Sequence, residues 1–275
     1  MTIAFKLGFA TALLAVAGYG HAVVAHSEGF EDPAWVANMP DNWQNYGGAT
    51  ITRATSGTNG ITSSDGAAHA TLSVGTGPYT RFGGYSSDFG SGFSTSLDVY
   101  LDPTWSDGQG FDYSVAASNQ AGGHLRDFIF HVGVVGGALL VNASNNTDAT
   151  FNSFKLTNEN GGNYHTLASA GWYTLQQMFR NDGGVLAVDM NLLDDGGNLL
   201  YSVTRTNAAD DIATIVGGNR YGWFTYNNIA NLAIDNTALA ATGAQVPEPG
   251  SLALIALGMV ALGASARRRR SQAAA

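Results

Sequence analysis

Six Asn-Gly or Asp-Gly dipeptides, at Asn59-Gly60, Asp65-Gly66, Asp107-Gly108, Asn160-Gly161, Asp182-Gly183 and Asp195-Gly196, cut the middle of the chain into short segments. Such pairs enter left-handed φ at low cost, which is what a tight hairpin demands, and they leave little room for long helices. The segments between them alternate with a period of two. In Val185–Leu193 the residues Leu186, Val188, Met190 and Leu192 share one side, while Ala187, Asp189 and Asn191 share the other. Along Phe93–Leu101, Leu97, Val99 and Leu101 oppose Ser96, Asp98 and Tyr100; in Asp127–Val135, Phe128, Phe130, Val132 and Val134 form an interior row. Further strands are predicted at Ala67–Val74, Phe111–Ser118, Ala138–Ala143, Trp172–Phe179, Leu199–Thr206, Tyr221–Tyr226 and Leu232–Leu239. Ten or more short strands in one domain predict an all-β fold, an antiparallel two-sheet sandwich of jelly-roll type.

The chain of 275 residues has no cysteine, which removes disulfides, thiolate metal sites and a cysteine nucleophile together. A domain of roughly 215 residues buries an adequate core without cross-links. Charge is distributed unevenly. Between His26 and Glu248 lie seven cations, Lys155 and Arg53, Arg81, Arg126, Arg180, Arg205 and Arg220, against all 21 acids, a net charge of −14. Nucleic acid needs a broad basic surface along its backbone and is not an expected partner. An acidic surface keeps the domain soluble and attracts divalent cations.

Both ends of the chain read as addresses. Met1–Lys6 carries one positive side chain, Leu7–Gly18 is apolar with small residues, and small residues at Gly20-His21-Ala22 or Val23-Val24-Ala25 suit cleavage after Ala22 or Ala25. At the other end stand Val246-Pro247-Glu248-Pro249, an apolar run from Leu252 to Ala266, and Arg267-Arg268-Arg269-Arg270. Pro247 and Pro249 isolate the tail from the domain, and Pro249 can open a helix, where its missing N–H costs little. As a helix, Ser251–Ala266 would rise roughly 24 Å, short of the ~30 Å hydrocarbon core, so flanking residues or a thinner bilayer must absorb the mismatch. The positive-inside bias keeps the four arginines cytoplasmic and places everything before Pro247 outside the inner membrane. Pro-Glu-Pro, apolar span and Arg cluster, in that order, resemble the PEP-CTERM sorting signal of Gram-negative bacteria.

That resemblance implies transient residence in the inner membrane, processing near Pro247-Glu248-Pro249 by an exosortase-type transpeptidase, and delivery to the cell surface or extracellular matrix, where exopolysaccharide is the partner. An anchor that is never processed is the alternative. The expected organisation is a signal peptide over 1–25, a β-sandwich domain over 26–240, a linker over 241–246 and the sorting signal over 247–270. Within the domain, Gly171-Trp172-Tyr173-Thr174-Leu175 leads to Gly184-Val185-Leu186-Ala187-Val188 and then to Leu193-Asp194-Asp195-Gly196-Gly197-Asn198-Leu199. With Tyr221-Gly222-Trp223-Phe224 and Ala233-Ile234-Asp235-Asn236 as a closing strand pair, this order resembles the concanavalin-like, laminin-G-like sandwiches. The likeness implies an architecture; that fold hosts lectins, glycosidases and plain adhesion modules.

Catalysis finds little support in the residues. A retaining glycosidase needs two carboxyl groups about 5 Å apart. Ahead of the tail the domain holds only Glu28, Glu31 and Glu159, and the Glu-x-Asp-x-x-Glu strand of concanavalin-like hydrolases is absent. Asp98 and Asp189, on outward strand faces, are the remaining candidate pair. His69, His124, His131 and His165 have no Gly-x-Ser-x-Gly nearby and no His-x-x-x-His spacing. His131, opposite the Phe128 row, reads as a hydrogen-bonded sheet residue.

Calcium is the one cofactor the residues admit. Asp102, Asp107 and Asp112, or Asp194, Asp195 and Asn198, supply hard oxygen ligands within loop distances, although Asp-Gly turn chemistry accounts for several of them without a metal. Asp210 and Asp211 can simply solvate a loop. Sugar binding suits both compartment and fold: an aromatic face stacks on the sugar while nearby Asp or Asn bonds hydroxyls. Trp35, Trp43, Tyr46, Trp105, Trp223 and Tyr226 are the aromatics considered, with Trp172 and Trp223 also suited to the core. Trp105, in Pro103-Thr104-Trp105-Ser106-Asp107-Gly108, is the leading residue, with Asp107 and Trp43 beside it as candidates. The expected function is a non-catalytic, exopolysaccharide-associated carbohydrate-binding module. The alternatives are a surface or adhesion protein without a specific sugar site and a glycoside hydrolase.

Overall fold

In the computed structural model, which describes residues 23–119, 121–145, 153–211 and 216–241, the alternating segments become strands. Fourteen occur among the described residues: β1 (Val23–Glu28), β2 (Ile51–Thr55), β3 (Ala68–Leu72), β4 (Tyr79–Thr80), β5 (Gly92–Leu101), β6 (Gly110–Ser118) and β7 (His124–Val135) come first. They are followed by β8 (Ala138–Ser144), β9 (His165–Leu167), β10 (Gly171–Asp182), β11 (Val185–Asp194), β12 (Leu199–Asp211), β13 (Asn219–Asn227) and β14 (Leu232–Ala241). One six-residue helix, α1 (Ser153–Asn158), packs over β7 and β8. The apolar parts of the expected signal peptide and sorting signal lie outside the described residues. Among the described residues no helix is long and apolar enough to cross a membrane.

The strands form two antiparallel sheets. Sheet A runs β12-β11-β10-β5-β14-β3-β2, with β1 also paired to β14, and sheet B runs β4-β13-β6-β7-β8-β9. All ten strands predicted from alternation are present. Those not predicted, β1, β2, β4 and β9, are short or lack a two-residue period; β2, for example, buries only Ile51. Glycine pairs make the tightest hairpins: Gly183-Gly184, at φ 65° and 99°, joins Asp182 to Val185, and Gly136-Gly137, at 62° and 78°, joins Val135 to Ala138. Only left-handed φ at both positions matches the twist of the flanking strands. Asn59-Gly60 and Asn160-Gly161 sit instead in single 3₁₀ turns.

The two interior rows meet between the sheets. Phe93 and Phe179 of sheet A stack at 4.2 Å, and Phe128 of sheet B stands edge-on to Phe179 at 5.3 Å. Leu97, Val99 and Leu101 are fully buried beside them, as are Val188, Met190 and Leu192. Fully burying such a side chain contributes about 1.5–3 kcal/mol, so these rows hold the sandwich together.

The outer face of sheet A is less apolar. Asp235 on β14 lies directly opposite Asp98 on β5. Asp98 accepts hydrogen bonds from Ser64 Oγ, Thr174 Oγ1 and Asn236 Nδ2. Burial pushes the Asp235 carboxyl up to about 7, with the neighbouring Asp98 adding to the rise, while backbone N–H bonds from Asn236 and Asp65 oppose it. The folded pKa thus exceeds the unfolded one, about 3.9, so the neutral acid favours the fold. Its contribution is complete below about pH 4 and is lost as pH rises through about 7. Melting curves at pH 4 to 8 should show this loss in the wild type and not in Asp235→Asn. At pH 8 the variant should be the more stable by roughly 2 kcal/mol, or about 4–8 °C. Parallel pH profiles for the two proteins would contradict the assignment.

Candidate functional site

The outer face of sheet B carries two different surfaces side by side. Across β6, β7 and β8, Tyr113, Phe130 and Ala143 point to the core, so Asp112, His131 and Ser144 lie on the opposite side. His131 Nδ1 is 2.7 Å from Asp112 Oδ1, and its Nε2 is 2.8 Å from Ser144 Oγ. Asn142 extends the row: its Nδ2 donates to the carbonyls of Leu156 and Glu159, tying β8 to α1 and the turn after it. Carboxylate, imidazole and hydroxyl are in the order of a proton relay. All three side chains are nevertheless fully buried, with 0 % exposure, so a substrate cannot reach the hydroxyl. In this state the row is a hydrogen-bonded strut across three strands. His131 has the sheet-bonding role expected of it; its serine partner, thirteen residues away in sequence, carries no local motif.

Beyond β6 the same face opens. Trp223 on β13 pairs with Ser114 on one side and with Tyr79 of β4 on the other. Tyr221, two residues before Trp223, meets it edge-on at 5.8 Å, and Tyr46 meets Tyr79 in the same way at 6.1 Å. With Arg81 these four aromatics line an open hollow of about 260 Å³. Local chemistry fixes their positions. Pro78 ends the approach to β4, which is only two residues long, and Gln44 and Tyr79 exchange backbone hydrogen bonds at 2.7 and 3.1 Å. Gly77, at φ 135°, lets the loop carrying Tyr46 come this close: a Cβ there would stand 1.9 Å from the Tyr46 carbonyl oxygen. Tyr46 is 60 % exposed and the other three aromatics are half-buried, so aromatic surface faces solvent. The hollow continues past Arg81 toward Tyr85 and Gly122, and past it again toward Asp41, Asn42 and Gln44.

This geometry redistributes the residues expected from sequence. Trp43 is fully buried, its ring 6.0 Å from Phe224 and its Nε1 donating to Thr237 Oγ1 at 3.3 Å; it is a core residue and cannot stack on a ligand. Trp35 is buried against Phe30, and Trp172 is buried with its Nε1 donating to the Thr62 carbonyl. Trp105 is half-buried and leans on the core, lining a separate hollow with Tyr100 and Asp102. Tyr46 and Trp223 reach the open face, and Tyr79, Tyr221 and Arg81 join them there. Tyr221 shares a strand face with Trp223 by the period of two, but sequence position gave no signal for Tyr79 and Arg81, because a two-residue strand and its pairing are tertiary features.

The carboxylates separate as well. Asp112 bonds His131 in the buried row, whereas Asp102 and Asp107 remain in the β5–β6 loop, accepting from the Thr104 and Gly137 backbones. Asp194 accepts from Asn198 Nδ2 and from the Asn198 and Gly196 backbone N–H groups and closes its own turn, and these bonds, led by the Asn198 side chain, hold its carboxyl below the usual range. Asp210 pairs with Arg126 and is buried, so it does more than solvate a loop. Asp98 and Asp189 lie on strands separated by β10. Asp189 is bound by Arg180 and Thr204, with the Arg180 bond chiefly lowering its pKa. Among the described residues, no group of three or more His, Cys, Asp or Glu is arranged to hold a metal.

Outside the described residues, the tail matches the family model of the PEP-CTERM protein-sorting motif over residues 245–270. The chain carries a PEP-CTERM sorting signal. No curated protein matches the sequence. Solved structures similar to it include a carbohydrate esterase from the Shiga toxin-encoding bacteriophage phi24B, at 12% identity over 81% of this chain and 100% of the other, with a TM-score of 0.46. The Ca²⁺-bound exoplasmic/lumenal domain of VIP36 is similar at 13% identity, 81% and 93% coverage and a TM-score of 0.42. Lectin II from Ulex europaeus is similar at 12% identity, 79% and 98% coverage and a TM-score of 0.43. These likenesses are distant, and the sandwich architecture of the chain rests on its own strand order.

Proposed function

We propose that this PEP-CTERM protein is exported, processed by an exosortase-type enzyme, and retained at the cell surface or in the extracellular matrix through non-catalytic binding of exopolysaccharide. The observation that carries the binding is the open hollow on sheet B, where Tyr46, Tyr79, Tyr221 and Trp223 present aromatic surface to solvent. Sugar rings offer apolar C–H faces with hydroxyl rims, and a shallow aromatic site with polar groups at its edge complements them. Gln44 and Asn42 in the adjoining hollow supply such groups. Signal-peptide removal after Ala22 would leave β1 whole, since Val23 pairs with Ala241, whereas removal after Ala25 would halve it. Of the two oxygen sets, the first would bind calcium through Asp102 and Asp107 alone, because Asp112 is committed to His131, and the second would have to displace the turn bonds to Asp194.

Trp223→Ala tests the reading. Loss of one central aromatic should weaken binding to exopolysaccharide purified from the producing cells about tenfold or more. Affinity electrophoresis would measure it, with Trp105→Ala as a variant outside the hollow that leaves binding unchanged. Equal mobility of wild type and Trp223→Ala in the polysaccharide gel would remove the sugar site. A surface-coat protein without a specific ligand would then be the better description.

A further inference from the structure

Resting on that reading, we infer that the sheet B hollow selects a glycan carrying isolated carboxylates, such as a uronic acid set among neutral sugars, and that Arg81 is the residue that reads the carboxylate. The inference starts from what each cation in the described domain is doing. Arg53 donates to the carbonyls of Phe30 and Glu31. Arg126 is bound to Asp210, and Arg180 to Asp182 and Asp189. Arg205 bonds Asn145 and faces Glu159, and Lys155 is buried with a partner of its own. Arg81 differs from all of these. Among the described Lys and Arg side chains it alone is exposed and makes no side-chain hydrogen bond or ion pair. It lines three adjoining hollows, one of which is formed with the four aromatics.

An unpaired guanidinium is unusual in a domain where acids outnumber cations three to one. Its fork of N–H donors matches a carboxylate bidentately, while the neighbouring ring faces hold the sugar body. A neutral sugar would use the aromatic faces and leave the fork to water. The acidity of the rest of the domain sets the charge density of the partner. The field of a surface charge falls off over about 8 Å at physiological salt, so a single carboxylate at Arg81 sees chiefly its local surroundings. A uniformly charged polyanion would instead run past the other acids and be repelled. Asp41, which lines the outer hollow with Arg81, is an acid that such a chain would meet there.

The test is titration calorimetry of the full-length protein at about 0.15 M salt, where surface charges beyond the site are screened. Glucuronoxylotriose, which carries a single carboxylate on neutral sugars, would be compared with its carboxyl-reduced, neutral counterpart. An acidic oligosaccharide should bind about tenfold more tightly than its neutral form, as expected for one charge-assisted bidentate contact. Arg81→Gln should abolish that preference, so that acidic and neutral forms bind alike. Arg81→Lys should recover only part of it, because a point charge lacks the fork. Asp41→Asn should strengthen the acidic ligand and not the neutral one. If acidic and neutral forms bind equally, and Trp223→Ala weakens both, the carboxylate inference falls while the aromatic site stands. If neither form binds and Trp223→Ala changes nothing, both fall.

Discussion

With Pro247, Glu248 and Pro249 all replaced by alanine, the protein is expected to remain uncut in the inner membrane, and its surface fraction to disappear. The sorting motif spans residues 245–270, so the substitution removes its recognition element and leaves the apolar run and Arg267–Arg270 in place. The retained run still partitions into lipid, and the four arginines still hold its end in the cytoplasm. Intact-mass analysis of wild type and variant, from surface and inner-membrane fractions, reads the outcome directly. A wild-type surface protein lacking both ends, with a variant of full C-terminal mass in the membrane, is the expected pair. A wild-type protein that keeps its tail would overturn processing and leave a tethered periplasmic domain, whose glycan partners would have to lie inside the envelope.

The second large effect is in the buried row. His131→Ala should destabilise the domain by about 3–5 kcal/mol, because it removes the imidazole 2.7 Å from the Asp112 carboxyl in a site closed to water. For a domain of this size that corresponds to a melting temperature lower by roughly 10 °C or more. Ser144→Ala, which removes one hydrogen bond from the imidazole, should cost only about 1 kcal/mol. Replacing both partners, His131→Leu with Asp112→Leu, should recover much of the loss, since a packed apolar pair needs no partner. Melting curves of the four proteins decide it. A His131→Ala variant within 1 kcal/mol of wild type would mean that water already reaches the row, and Ser144 would then have to be considered as an accessible nucleophile.

Much of the sandwich is legible because burial alternates along its long strands. Along β5 the observed burial repeats the sequence alternation almost residue for residue, and the row from Phe128 to Val134 faces the core. Alternation fails where a strand is buried on both sides. All nine residues of β6 are buried, so Asp112 and Ser114 read like exposed polar positions when they are not. It fails also where a strand is too short to show a period, as with β4 and the Tyr79 it carries. Aromatic type alone does not separate core from site: Trp43 and Trp223 have the same side chain. One is sealed against Phe224, and the other stands on the open face beside Tyr221.

The sequence by itself determined the C-terminal sorting signal and the class of fold. A Pro-Glu-Pro tail is a linear signal, and a two-residue period is a local property of a half-buried strand. Only the tertiary structure decided which residues form a surface. Ser144 reaches His131 through the pairing of β7 with β8, and Arg81 joins Trp223 only because the chain near β4 folds onto β13. Both meetings depend on strand register and on which sheet face is left uncovered. Those are set by packing between distant segments, and no local pattern in this chain encodes them.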